Sequence, residues 1–246
     1  MQQKRKWITL AVSIAYTVVA MFIMLYAVNR RGGVIENEHQ DKASVNPVEQ
    51  EIKPREAYER IIVVDPCGSG ESNSKDEKQA QEITLDIVRR LEEKILADNT
   101  IKVYYTRTDD TVMSEEEKLK LISETEADFY VGIALNESSD VSVYGVETVY
   151  NGTYFIPYFG NTELADCMER NVTKQALGRA NGLTQADEED IILQKTKIPA
   201  VVLKAGYLSN KKEAELLNNE SYREQIAEGI FLAVQEAYEK MENGSE

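Results

Sequence analysis

Residues with reactive or charged side chains lie at the ends of three apolar segments of this 246-residue chain. The segments are IIVVDPCGSG (61–70), EADFYVGIALN (126–136) and IPAVVLKAGYLSN (198–210). They carry Asp65, Cys67, Asn136 and Lys204. An apolar run that ends in a polar turn is typical of a buried parallel strand, and such strands deliver their last residues to a cleft. We therefore expect these four side chains to lie at a common edge of a sheet.

The sequence contains too few histidines for a zinc site of the usual kind. The one histidine is His39, which lies in the polar stretch ENEHQDKASVNP, upstream of all three segments. A catalytic zinc site normally uses three protein ligands, most often histidines, and keeps an open position for water. A polar stretch without hydrophobic periodicity predicts a solvated linker residue. The sequence therefore cannot supply the histidines of a zinc site.

Together, the three segments resemble the N-acetylmuramoyl-L-alanine amidases, zinc enzymes that cut the amide between glycan and stem peptide in the bacterial cell wall. In that family the first segment reads D-P-G-H-G-G, the second ends S-I-H-A-N, and the third runs P-A-V-L-V-E-x-G-F-L-S-N. The resemblance covers nearly all of residues 60–241. It includes YTRTDD (105–110), YGVETVY (144–150) and YREQIAEGIFLAV (222–234).

The positions that carry the family's chemistry hold other residues in this chain. The two histidine positions hold Gly68 and Ala134, and the catalytic glutamate position holds Lys204. The family has a third zinc ligand, a glutamate at the start of its first helix. The register of the helical run ITLDIVRRLEEKI (83–95) places that position on Ala80. The resemblance thus implies a retained scaffold without its zinc ligands, and we expect no metal and no cofactor.

Two further carboxylates are candidates for the cleft. Matching the local Glu-Lys pair instead of the helix register places the third ligand on Glu77, and Glu82 could also lean into the cleft. Both could instead interact with the helix dipole from a first helical turn. Lys204 could pair with Asp65, Glu77 or Glu82, because a buried ammonium is costly unless it is paired. Alternatively, Lys204 extends to solvent.

Cys67 occupies a turn position where the family has glycine. A nucleophilic cysteine needs a base or a positive neighbour to form a thiolate, and Lys204 is the one nearby candidate. We therefore interpret Cys67 and Cys167 as two inert thiols. A disulfide between them stays open, because the sequence gives no distance. Carboxylates alone can hold Mg²⁺ or Ca²⁺, but no D-x-D-x-D cluster faces the expected cleft.

The N-terminal part of the chain predicts a membrane anchor. Residues 7–28, WITLAVSIAYTVVAMFIMLYAV, contain no charge and are long enough to cross a bilayer. A secretory signal peptide usually has an apolar region of only about 7–15 residues, and no A-x-A cleavage pattern follows this run. We expect a cytoplasmic basic tip (1–6), a single transmembrane helix (7–28), a flexible polar linker (29–59) and an amidase-like domain (60–246) on the extracytoplasmic side of the cell membrane.

The chain beyond the predicted anchor is strongly acidic. Residues 1–31 hold five basic residues and no acidic ones, so residues 32–246 carry 23 basic and 43 acidic side chains, a formal charge of −20. Such a surface repels nucleic acid and anionic lipid headgroups. We therefore exclude nucleic acid as a partner. The same charge is also consistent with solubility alone.

Hydrophobic periodicity predicts alternating strands and helices after residue 60. The predicted strands cover 61–65, 101–106, 128–134, 144–150, 190–194 and 199–205. The predicted helices cover about 77–97, 114–125, 161–181, 211–218 and 220–241. Ser114 and Glu117 fit a capping box. The alternation predicts an α/β fold, a mostly parallel twisted sheet with helices on both faces, preceded by one N-terminal transmembrane helix.

Aromatic residues cluster in the segment after YGVET. They are Tyr150, Tyr154, Phe155, Tyr158 and Phe159. Such a cluster could line the wall of a groove, or it could pack a loop onto the core.

Three functions are compatible with these features. The first is a membrane-anchored, catalytically inactive amidase-like protein that binds peptidoglycan fragments or a cell-wall, division or sporulation protein. The second is an active peptidoglycan amidase with a rebuilt or non-zinc site. The third is a structural scaffold that binds nothing. Losses at both histidine positions and at the catalytic glutamate favour the first.

Overall fold

The structure is a computed structural model that describes residue 52 and residues 60–68, 75–109, 111–153 and 155–244. The predicted basic tip, transmembrane helix and linker lie outside these residues, apart from Ile52. Among the helices in the described ranges, none is long and apolar enough to cross a membrane.

Strands and helices alternate along the described part of the chain. The strands are β1 (Arg60–Pro66), β2 (Ile101–Tyr105), β3 (Phe129–Asn136), β4 (Val146–Tyr150), β5 (Ala180–Gln185) and β6 (Ala200–Tyr207). The helices are α1 (Lys75–Asp98), α2 (Glu115–Glu124), α3 (Asn161–Gln175), α4 (Ile191–Lys195), α5 (Lys211–Leu217) and α6 (Glu220–Gly244). The predicted capping box is confirmed, because Ser114 and Glu117 exchange hydrogen bonds at the start of α2.

The strands form one six-stranded sheet in the order β2-β1-β3-β6-β4-β5. Strands β2, β1, β3 and β6 are parallel to one another. Strand β4 pairs with β6 in the antiparallel direction and with β5 in the parallel direction. The sheet is therefore mostly parallel, as the sequence predicts. The reversal of β4 places the start of this strand beside the end of β6.

Helices cover both faces of the sheet because the strands are apolar on both sides. Side chains alternate along β1, so Ile62 and Val64 belong to one apolar cluster while Ile61 and Val63 belong to the other. Helices α1, α3 and α6 contribute to the first cluster, and α2 and α4 contribute to the second. This three-layer arrangement is the predicted α/β architecture.

Two predicted elements between α3 and β6 are wrong. The predicted strand at 190–194 is helix α4, and the predicted helix 161–181 ends at Gln175, followed by the unpredicted strand β5. Leu177 has a φ of 50°, which ends a right-handed helix. Strand β5 has the sequence ANGLTQ and is exposed along much of its length. It therefore lacks the apolar pattern by which the other strands were recognised.

Candidate functional site

The ends of β1, β3 and β6 meet at one edge of the sheet. Ala134 of β3 is the register partner of Lys204 of β6. Pro66, the last residue of β1, is the register partner of Ile133, and Gly68 follows Pro66 at the same edge. The structure thus brings together Gly68, Ala134 and Lys204, and we call the edge that these three residues define the cleft edge.

The space beside Gly68 is filled by side chains from neighbouring elements. A Cβ atom at position 68 would lie 3.0 Å from Cγ of Gln81 and 3.2 Å from Nη2 of Arg107. Arg107 is 1% exposed, and its Nε donates a hydrogen bond of 2.6 Å to the carbonyl of Pro66. Its Nη2 donates to the carbonyl of Gln81 at 3.3 Å. Both contacts at position 68 are closer than ordinary packing distances, so a side chain there would require Gln81 and Arg107 to shift.

Helix α1 contributes Gln81 to this space. Gln81 is not among the cleft residues that the sequence predicts, although it directly follows Ala80, the position expected from the helix register. Ala80 is half-buried, whereas Glu77 and Glu82 are exposed. Glu77 precedes Gln81 by four residues and therefore lies on the same side of the helix, one turn earlier. Arg107 lies in the segment YTRTDD, which belongs to the resemblance with the amidase family. An arginine inside such a segment is the signal in the sequence that points to it.

The residues at the family's zinc positions do not fit a zinc ion. Gly68, Ala134 and Ala80 have no side-chain donor atom, and the ammonium of Lys204 has no lone pair to offer a metal. Within the ranges that the structure describes, no group of three or more histidine, cysteine, aspartate or glutamate side chains could hold a metal ion. His39 lies outside these ranges.

Asp65 is the centre of a buried polar cluster behind the turn after β1. This carboxylate is 1% exposed and accepts hydrogen bonds from the hydroxyl of Tyr130 at 2.5 Å and from Nζ of Lys118 at 2.7 Å. The hydroxyl of Thr106 donates to its other oxygen. The predicted pairing of Lys204 with Asp65 is therefore wrong. Lys118, in the first turn of α2, pairs with Asp65 instead, although the sequence does not predict it as a cleft residue.

Cys67 is enclosed beside this cluster. The residue is partly exposed as a whole, but its sulfur is shielded, and this desolvation, with the nearby charge of Asp65, raises the pKa of the thiol well above its ordinary value. A Cβ atom at Gly132 would lie 3.1 Å from Sγ of Cys67 and 2.9 Å from Cγ2 of Val202. The sulfur thus packs where Gly132 has no side chain. Cys67 and Cys167 are both free thiols.

A second polar cluster lies where β6 ends beside the start of β4. Glu147 of β4 is the register partner of Lys204. The Oε2 atom of Glu147 accepts hydrogen bonds of 2.7 Å from Nδ2 of Asn136 and from the hydroxyl of Tyr207. Asn181 of β5 donates to the same hydroxyl at 2.8 Å. Asn136 was a predicted cleft residue, whereas Glu147 was not selected. The signal was a lone glutamate within the apolar run VETVY.

These contacts favour the ionised form of Glu147. Burial alone raises the pKa of its carboxyl, but hydrogen bonds from Tyr207, Thr184 and Asn136 and the positive charge of Lys204 outweigh burial. The pKa of Glu147 is therefore lowered from its ordinary value of 4.5. The half-buried Lys204 itself makes no hydrogen bond or ion pair within the described residues, so it contacts neither Glu77 nor Glu82 there.

The exposed aromatic residues do not line the cleft edge. Strand β4 runs antiparallel to β6, so Tyr150 at its end lies near the start of β6 and the following loop leaves from the opposite edge of the sheet. Phe155 and Tyr158 in this loop are 82% and 81% exposed. Phe159 is buried and Tyr150 packs against the core, whereas Tyr154 lies outside the described residues. Part of the cluster thus packs the loop onto the core.

Comparison with known proteins decides the family. The profile of the N-acetylmuramoyl-L-alanine amidases matches residues 62–236. The chain belongs to this amidase family. An N-acetylmuramoyl-L-alanine amidase structure from Clostridium difficile 630 covers 73% of the chain and 97% of its own length, with a TM-score of 0.66 and 27% identity. The CwlD amidase from Clostridioides difficile, solved in complex with the GerS lipoprotein, covers 73% and 98%, with a TM-score of 0.62 and 27% identity.

Curated relatives of this amidase-family chain are amidases by name. N-acetylmuramoyl-L-alanine amidase LytC of Bacillus subtilis is 26% identical over 172 residues, which are 69% of this chain and 34% of LytC. Probable cell wall amidase LytH of Staphylococcus aureus is 29% identical over 177 residues, which are 70% of this chain and 56% of LytH. The match thus spans about a third and just over half of the lengths of these relatives.

Proposed function

We propose that this member of the amidase family is a noncatalytic binding protein of the bacterial cell envelope. In this proposal residues 7–28 anchor it in the cell membrane, and its domain binds peptidoglycan fragments on the extracytoplasmic side. It uses no metal and no cofactor. Its cleft edge lies where the family has its active site, and it binds the ligand without hydrolysing it.

The filled space beside Gly68 is the observation that carries this proposal. Loss of a ligand by substitution alone would leave an open position that another group could occupy. Here Gln81 and Arg107 already occupy the space around position 68, and Arg107 is fixed by its hydrogen bond to Pro66. Across the cleft edge, Lys204 replaces the family's catalytic glutamate and cannot accept a proton from water while it is charged. The polar groups present can bind a ligand but do not form a hydrolytic site.

The relatives support a cell-wall ligand. LytC is named an N-acetylmuramoyl-L-alanine amidase and LytH a probable cell wall amidase. A protein that keeps the family's fold without its zinc-binding residues can keep affinity for the wall polymer. A protein partner is the second candidate. It is favoured by the relative CwlD, whose structure was solved in complex with the GerS lipoprotein.

Three measurements on the full chain, purified in detergent, test the proposal. We expect substoichiometric zinc by elemental analysis, no release of peptide from a muramoyl-peptide substrate, and saturable binding of soluble peptidoglycan fragments in a calorimetric titration. The amidase of Clostridium difficile 630 serves as the positive control for zinc and hydrolysis. Stoichiometric zinc or hydrolysis would instead support an active amidase with a rebuilt site. Absence of binding would support a structural scaffold.

A further inference from the structure

The cleft edge carries a positive charge whose hydrogen-bonding capacity is not used within the described residues. Lys204 replaces an acidic residue of the family, so the sign of the charge at this position is reversed. Its register partner on β3, Ala134, has no polar side chain. Among the described residues the Lys204 ammonium has no hydrogen bond or ion pair. Three N–H donors of an ammonium are therefore available to a ligand.

The neighbouring carboxylate does not saturate this ammonium. Glu147 is 9% exposed, and its Oε2 already accepts hydrogen bonds from Asn136 and Tyr207. The charge of Lys204 acts on Glu147 through space and lowers its pKa without a hydrogen bond between them. Glu147 is thus held by residues of β3 and β6, while Lys204 is half-buried at the cleft edge. An ammonium in this position gains most from an anionic partner that approaches from outside.

We propose that Lys204 binds a carboxylate of a peptidoglycan stem peptide. This inference rests on the proposed function, because the wall peptide is the ligand assumed there. The site offers one ammonium, a point charge that matches a single carboxylate. Gly68 and Ala134 add no acidic side chain that would repel such a group. Ala134 on β3 is uncharged, and Glu147 is held by its hydrogen bonds from Asn136 and Tyr207. The ammonium of Lys204 is therefore the group that would bind the carboxylate of the ligand.

The experiment compares four forms of the full chain in detergent by calorimetric titration. They are the wild type, Lys204→Met, Lys204→Arg and, as a matched control, Lys197→Met, whose exposed lysine lies before the start of β6 at the opposite edge. The probes are a muramoyl peptide with free carboxylates, the same peptide with all carboxylates converted to amides, and glycerol phosphate. A thermal melt of each form checks that it is folded.

We expect Lys204→Met to weaken binding of the free-acid peptide by about 10- to 100-fold, the range for a charge-assisted hydrogen bond. Lys204→Arg and Lys197→Met should stay close to the wild type, and the amidated peptide should bind the wild type as weakly as the acid binds Lys204→Met. Equal binding of the acid by wild type and Lys204→Met would overturn this inference and leave the proposed function standing. Tighter binding of glycerol phosphate than of the peptide would also overturn it. No binding of any muramoyl peptide to the wild type would reject both proposals.

Discussion

Two lysines near the cleft edge differ in what they do for the fold. Lys118 donates to the buried carboxylate of Asp65, with side chains that are 12% and 2% exposed. Lys204 makes no such contact within the described residues. A buried carboxylate that loses its cation is left with an uncompensated charge, whereas loss of an ammonium without hydrogen bonds costs little. The stability of the domain should therefore depend on Lys118 and not on Lys204.

Substitution of each lysine by methionine tests this difference. We expect Lys118→Met to lower the free energy of unfolding by about 3–5 kcal/mol, because Asp65 stays buried without its cation. Lys204→Met should change it by less than about 1 kcal/mol, like most substitutions without a specific contact. Urea denaturation of the two variants beside the wild type measures both. Equal losses would show that Lys204 stabilises the fold and would return it to the pairing role that the sequence suggested.

Cys67 and Gly132 differ from the family in a way that suggests joint replacement. The family has glycine at position 67 and serine at position 132, whereas this chain has the larger residue at 67 and the smaller at 132. The structure gives the reason, because a Cβ atom at Gly132 would lie 3.1 Å from the Cys67 sulfur. The thiol therefore fills the space of the missing serine side chain. Its raised pKa fits this packing role.

A double-mutant cycle tests the joint replacement. Gly132→Ser alone should destabilise the domain by about 1–3 kcal/mol, the usual cost of overpacking. Added to Cys67→Gly, the same substitution should cost clearly less, although its contact with Val202 at 2.9 Å remains. The four free energies of unfolding give the coupling between positions 67 and 132. Additive effects of the two substitutions would refute the joint replacement.

At the scale of elements, the antiparallel pairing of β4 with β6 creates the polar cluster around Glu147. A parallel strand at this place would begin at the opposite edge, far from Lys204. Because β4 is reversed, Glu147 lies opposite Lys204 and within reach of Asn136 and Tyr207. The lowered pKa of Glu147 is thus a consequence of topology. The lowered pKa of Glu147 makes the stability of the β4–β6 pairing depend on pH.

The pH dependence has a definite sign. The folded pKa of Glu147 lies below its ordinary value of 4.5, so its contribution to stability is fully present above pH 4.5 and is lost as the pH falls through the folded pKa. Glu147→Gln should be less stable than the wild type at pH 7, and the difference should shrink below pH 4.5. Glu213, whose raised pKa has no contribution from Glu147, is present in both proteins and cancels. The charge of Glu147 is one cause of the raised pKa of Glu169, so both proteins are compared in a Glu169→Gln background. Chemical denaturation between pH 3 and pH 7 provides the measurement, and a constant difference would contradict the assignment.

The elements differ in how far the sequence predicts them. Strands β1, β3 and β6 are mostly apolar and mostly buried, and the sequence predicts each of them from this pattern. Strand β5 is an exposed edge strand with Gly182 at a φ of 106°, so no apolar alternation marks it. The sequence predicts a strand at 190–194 in place of helix α4, because the apolar run Ile-Ile-Leu is too short to show a helical period.

The site was predictable only in part, for a related reason. The resemblance to the amidase family selected Gly68, Ala134 and Lys204, because they occupy the family's two histidine positions and its catalytic glutamate position. The contacts that fill the edge depend on elements distant in sequence. Gln81 and Arg107 meet at Gly68 from α1 and from the turn after β2, and Lys118 reaches Asp65 from α2. No spacing in one sequence encodes such tertiary contacts.

At the scale of the whole molecule, the chain has the sheet that the family predicts, while the side chains of Gln81 and Arg107 lie close to Gly68. Two amidase structures match 73% of the chain each, with TM-scores of 0.66 and 0.62. The sheet is held by two apolar clusters that do not involve the cleft edge. The apolar clusters that hold the sheet are therefore separate from the positions where the family binds zinc.

Restoring the family's ligands should consequently fail unless the filled space is opened as well. The variant Gly68→His, Ala80→Glu, Ala134→His and Lys204→Glu supplies the family's residues, but an imidazole at position 68 would meet Gln81 and Arg107. We expect substoichiometric zinc in this variant by elemental analysis. Adding Gln81→Ala removes the nearest contact and should raise the zinc content, while Arg107 is left in place because it holds the turn through Pro66. Gln81→Ala alone, which adds no ligand, is the control. Stoichiometric zinc in the variant that retains Gln81 would show that the contact of Gln81 with position 68 does not limit metal binding. The residues at the ligand positions would then be the one reason why the wild type binds no zinc.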